Sequence, residues 1–143
     1  MAVDVSRTQD VYKDAGKSVN FTTLLLNRKD RDAELEVIQD MADRIQAIKR
    51  SVSIRANNSG LAIAFGFSRK AWDYLFPNAP VPKELEDFTG IKGDKQDVPA
   101  VAADLFLHVR SNDESVTYTV VDQIMEFLRP ITSVVDETHG FHY

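Results

Sequence analysis

The chain contains no cysteine and only three histidines. The first absence excludes disulfide frameworks, thiolate catalysis, iron–sulfur clusters and cysteine-based zinc sites. The second leaves little for metal ligation. Positive charge is not in surplus either: 17 Lys and Arg stand against 22 Asp and Glu, a net charge of −5. A phosphate-backbone binder needs a basic face, so this balance argues against a nucleic-acid partner. No apolar run approaches the ~20 residues of a membrane span. The first 18 residues carry Asp4, Arg7, Asp10, Lys13 and Asp14 where a leader would have an apolar stretch. The expectation is a cytoplasmic protein with no membrane segment. What remains is ordinary for a globular chain, 43% hydrophobic and 27% charged over 143 residues. That is enough for one core and too little for two.

Residues 1–18 read as a polar arm with one helical turn, followed by a domain over 19–143. The run Val19–Leu26 is β-rich and ends at Asn27-Arg28-Lys29-Asp30. A helix is expected over Asp32–Arg50, capped by Asp30 or Asp32. Leu35, Ile38, Met41 or Ala42, Ile45 and Ile48 form its apolar stripe, and Glu34, Glu36, Asp40 and Asp43 its solvated face. Leu61–Phe67 alternates large and small side chains. Leu61, Ile63, Phe65 and Phe67 suit a helix layer, while Ala62, Ala64 and Gly66 leave the other face flat. Ser68 caps a short helix through Trp72, Tyr74 and Leu75. A proline-rich loop over 77–103 leads to a strand at Asp104–Arg110. A second long helix, Glu114–Arg129, starts at Asn112 or Asp113 and stops at Pro130, and Ile131–Phe141 is the last strand.

The order β-α-β, loop, β-α-β is the split pattern of a ferredoxin-like α+β domain, an antiparallel sheet with helices on one face. The helices cover one face only. The other is expected to carry Leu24 and Leu26 or their neighbours, with Ala62, Ala64, Phe106 and Val134. That is too apolar for water, so a second sheet is expected to pack there, making this half of a dimeric α+β barrel.

Several blocks then resemble one family. Ala64-Phe65-Gly66-Phe67-Ser68 with Ala71-Trp72-Asp73-Tyr74-Leu75-Phe76 resembles the N-terminal half of dye-decolorizing peroxidases. So do Pro82-Lys83-Glu84-Leu85 with Phe88 and Lys92-Gly93, then Asp104–Arg110, then Val134–Phe141. The resemblance covers residues 18–143. It implies two ferredoxin-like halves, haem b, hydrogen peroxide as oxidant and a phenolic or dye-like organic reductant. It also implies that the distal Asp, the distal Arg and the proximal His ligand follow the fourth strand. They would lie beyond Tyr143, so no catalytic, cofactor-binding or metal residue is assigned here. On its own the chain is expected to be inactive, to bind no haem, and to form a homo-oligomer through its open sheet face.

Single residues carry blander expectations. His108 is a strand histidine paired to a neighbour. His139 and His142 face opposite sides of a strand and do not make a metal pair. Trp72 and Tyr74 are packing residues at the sheet edge rather than radical sites. Gly90-Ile91-Lys92-Gly93 matches a nucleic-acid-clamping loop in spacing alone. Two alternatives remain open: a non-enzymatic self-associating barrel domain, and a small cofactor-independent oxygenase or haem-degrading enzyme of the dimeric α+β barrel type.

Overall fold

The computed structural model describes residues 4–143. The first three residues of the expected arm lie outside the described residues. The elements run β1 (Ser18–Leu26), α1 (Arg31–Arg55), β2 (Ala62–Phe67), α2 (Arg69–Leu75), β3 (Ile91–Lys92), β4 (Asp97–Val98), β5 (Leu105–Ser111), α3 (Glu114–Leu128) and β6 (Thr132–Phe141). The four long strands pair antiparallel in the order β2-β5-β1-β6. This is the expected ferredoxin-like arrangement.

Strand periodicity decides which face becomes core. Leu24 lies opposite Leu105 and Thr22 opposite Leu107. Leu24, Leu26, Leu105, Leu107, Val109 and Ile63 therefore project together under the helices. Of the two alternatives for the open face, Leu24 and Leu26 or their neighbours, the neighbours Thr23 and Leu25 lie there, while Leu24 and Leu26 are core residues, 0% and 6% exposed. Val134 lies opposite Leu24 and so also belongs to the helix side, correcting its expected place. Its position follows a bulge that shifts the β1–β6 register between Thr23 and Leu24.

Helix α1 begins where Asp30 accepts from the Ala33 N–H. It runs five residues past Arg50, because Val52 continues the stripe and is buried. Ile38, Met41, Ile48 and Val52 from α1 meet Val116, Val120, Val121, Ile124 and Leu128 from α3 over the sheet. Burying one such Leu or Ile stabilises the fold by about 1.5–3 kcal/mol. Glu34 does not join the solvated face. It is 3% exposed and accepts from the backbone of Lys29 and Asp30 and from the Tyr74 hydroxyl. The helix start supplies donors that hold this carboxylate inside. Burial, and then the Glu34 carboxylate, hold the Tyr74 phenol proton above its ordinary pKa.

The long loop contains the β3–β4 hairpin. Ile91 and Lys92 are strand residues there, so the Gly90–Gly93 spacing builds a hairpin and not a clamping loop.

The arm has two short 3-10 turns, Val5–Arg7 and Asp10–Tyr12. The Gln9 side-chain amide donates to the Phe65 carbonyl and accepts from the Phe65 N–H, closing the outer edge of β2. The arm enters β1 through Gly16, at φ +72, where a Cβ would stand 2.6 Å from the Ser111 carbonyl oxygen. Gly16→Ala is expected to cost about 2 kcal/mol, from the left-handed backbone and the backbone collision together. A urea midpoint matching the parent chain would disprove this.

Candidate functional site: the uncovered sheet face

The helix-free face is built from alternate residues of the four strands. Strand β1 contributes Val19, Phe21, Thr23 and Leu25; β2 contributes Ala62, Ala64 and Gly66; β5 contributes Phe106, His108 and Arg110. Its centre is aromatic. The Phe21 and Phe106 rings stack at 6.1 Å, and His108 lies 4.4 Å from Phe21. Phe21 and Phe106 are 36% and 39% exposed. Beside them lie the β2 alanines, already 0% and 8% exposed, with Gly66 opposite Phe106. At Gly66 a neighbouring backbone or ring can approach closely.

Burial first, and then the charge of Arg110, push the His108 pKa below its ordinary value. His108 thus favours the neutral form in the folded chain. The unfolded chain takes up its proton first as pH falls through about 6.5. Stability from this residue is therefore complete above that pH and lost on going below it, towards the folded-state pKa. The expected result is a steeper loss of thermal stability between about pH 7.5 and 5.5 in the parent chain than in His108→Phe. Equal slopes would remove the assignment.

Arg110 closes one end of the face. It is 2% exposed, and its guanidinium donates to the carbonyls of Asp10, Val11, Lys13 and Asp14 in the arm. Asp10 is held in turn by Lys13 and Lys49. Burial raises the Asp10 carboxyl pKa, but the hydrogen bonds and charges of these lysines outweigh it and leave the pKa lowered.

A second concavity, of about 790 Å³, lies on the helix side between α3 and β6. The Asn20 amide donates to Glu137 at 3.2 Å, and His139 Nε2 meets the same carboxylate at 2.8 Å. Thr22 donates to Asn20. Both Asn20 and Thr22 are 1% exposed on the inner face of β1, at positions where the strand's other half carries leucines. One sequence gives no sign of this network, because its members are 117 and 119 residues apart in the chain.

The histidines stay apart from one another: His108 is on the open face, His139 on the helix face, and His142 follows the last strand. Among the described residues no group of three His, Asp or Glu side chains could hold a metal ion. No helix of the described residues is long and apolar enough to cross a membrane. Trp72 packs edge-on against Phe67 at 6.2 Å and tilted against Phe76 at 4.8 Å. Its buried indole N–H has no partner.

Comparison with known proteins decides the lineage. A family model described as Dyp-type peroxidase, N-terminal, matches residues 8–142. The chain belongs to that family. The dye-decolorizing peroxidase of Rhodococcus erythropolis is 33% identical over 108 residues, which are 76% of this chain and 31% of the relative. The crystal structure of a dye-decolorizing peroxidase from Bacteroides thetaiotaomicron superposes with a TM-score of 0.87 at 31% identity. The match covers 94% of this chain and 43% of that one. A Rhodococcus jostii DypB variant solved in complex with heme gives a TM-score of 0.83 at 25% identity, over 94% and 43% of the two chains. The present chain thus spans about a third of the curated relative it matches and corresponds to the N-terminal portion of the family.

Proposed function

We propose that this chain is the structural half of a dye-decolorizing haem peroxidase, and that its open sheet face packs against the haem-bearing half. In the whole protein, bound haem would supply peroxide cleavage and oxidation of a phenolic or dye-like reductant. This half would cover one side of that centre and exclude water from it. The observation that carries the reading is the Phe21–Phe106–His108 centre, whose phenylalanines are 36% and 39% exposed on a face no helix covers. Such a surface gains most from contact with another sheet.

The three imidazoles of this chain do not fit an iron porphyrin. His108 is packed into the aromatic centre of the open face, with its ring centroid 4.4 Å from that of Phe21 and 6.1 Å from that of Phe106. The Nε2 of His139 is engaged by Glu137 at 2.8 Å. His142 follows the last strand, where its backbone N–H donates to the Lys17 carbonyl, and it does not line the α3–β6 concavity. No step of peroxide chemistry is therefore assigned to a side chain of this half. Where the haem-bearing half is missing, a second copy would pack on the same face, which is one route to a homo-oligomer.

The test is haem titration of the 143-residue chain, followed by dye bleaching with hydrogen peroxide. The expected result is no Soret shift from an imidazole-bound iron and no turnover above free haem. Co-expression with the remaining portion of the Rhodococcus erythropolis relative should yield a co-purifying pair. Turnover by the chain alone, or failure of the pair to form, would overturn the reading.

A further inference from the structure

The two edges of the sheet are finished differently. The outer edge of β2 is closed by the arm, through the Gln9 amide on both backbone groups of Phe65. Strand β6 is the opposite edge, pairs only with β1, and meets no other strand of the described residues. An unpaired edge presents a row of N–H and C=O groups that invites another strand, and native chains usually blunt it with lysine, proline or a bulge. The ten residues of β6 include neither lysine nor proline. Its bulge lies toward the start and leaves Asp136–Phe141 in unbroken register with β1. Phe141 on this strand is 83% exposed.

We propose that two copies of this chain join through β6, antiparallel, with Thr138 opposite Thr138 of the second copy. The register follows from two constraints. An antiparallel two-fold pair keeps the helix side of both sheets on one side. Directly opposite residues must then lie on the same face, so the pair is centred on a residue. After the bulge, Glu137, His139 and Phe141 lie opposite Thr22, Asn20 and Ser18 and share the helix face, while Asp136, Thr138 and Gly140 share the other. Centring on Asp136 or Glu137 puts a carboxylate opposite its own copy. Centring on Thr138 sets Glu137 opposite the second copy's His139, twice by symmetry, and brings exposed Phe141 to the second copy's Val134–Val135 stretch. An imidazole opposite a carboxylate can share a hydrogen bond with it, whereas two carboxylates opposite each other oppose pairing. The joined sheet has eight strands, and the two α3–β6 concavities become neighbours across the seam. This pairing uses neither the open face nor haem.

The experiment is sedimentation equilibrium of the full chain carrying Phe106→Asp, which silences the open face. A dimer is expected to persist in that background. Adding His139→Glu sets like charges opposite each other and should weaken the dimer about tenfold or more, equivalent to about 1.4 kcal/mol. Glu137→Lys together with His139→Glu should restore it. If circular dichroism shows that His139→Glu disturbs the fold, Thr138→Glu sets two carboxylates opposite each other at the centre of the pair and provides the like-charge clash. A monomer throughout the soluble range of the Phe106→Asp chain would refute the proposal. So would a dimer indifferent to these charges. Association abolished by Phe106→Asp and unaffected by the β6 changes belongs to the open face, which overturns the edge pairing and leaves the packing proposal standing.

Discussion

Replacing Phe106 with Asp is expected to abolish docking of the haem-bearing half while leaving this half folded. Phe106 stacks on Phe21 at the centre of the open face yet is 39% exposed, so the free chain tolerates a carboxylate there. Docking would bury that carboxylate against a second sheet without a counter-charge. The nearest cation on the same face, Arg110, is already committed to the arm carbonyls. An unpaired charge in such an interface costs about 3 kcal/mol or more, roughly a hundredfold or greater loss of affinity. Calorimetric titration against the companion half measures the affinity, and thermal unfolding should shift by no more than about 1 kcal/mol. Undiminished docking would show that the aromatic centre faces water in the whole protein.

Arg110→Met is expected to be the most damaging single change in the sheet outside the leucine core. The guanidinium is 2% exposed and donates to four carbonyls of the arm. Methionine fills part of the volume but leaves those acceptors without donors. The loss should be about 3 kcal/mol. In a chain of this size that corresponds to a fall in Tm on the order of 10 °C. The arm should also detach, which limited proteolysis would register as early cleavage ahead of Gly16. An intact, protease-resistant arm in this variant would mean that Gln9 and the Asp10–Lys49 pair suffice to hold it.

Much of the fold was legible because it rests on local signals. Asp30, Ser68 and Asp113 sit before their helices and cap them as their side-chain chemistry dictates. The alternation Leu105-Phe106-Leu107-His108-Val109 separates a core face from an open face, and the structure keeps that separation. The errors arose where local pattern underdetermines the answer. Leu24, Leu25 and Leu26 are equally apolar, so only pairing with β5 shows that Leu25 faces outward. Val134 changes sides because a bulge breaks the period of two within β6. Glu34 looks like any surface acid until the turn before α1 and the Tyr74 hydroxyl converge on it.

The sequence by itself determined the order of the four long strands and their helices, the ferredoxin-like class, the family resemblance and the existence of an apolar face with no helix to cover it. These follow from hydrophobic period, capping residues and ordered blocks, all of which act over a few neighbouring positions. The tertiary structure alone decided that Arg110 anchors the arm, that the arm closes the β2 edge while β6 stays open, and that Asn20, Glu137 and His139 meet. Each of those depends on contacts between residues some 50 to 120 positions apart. Such contacts form only when strand pairing fixes the register, and no pattern along the chain encodes their chemistry in advance.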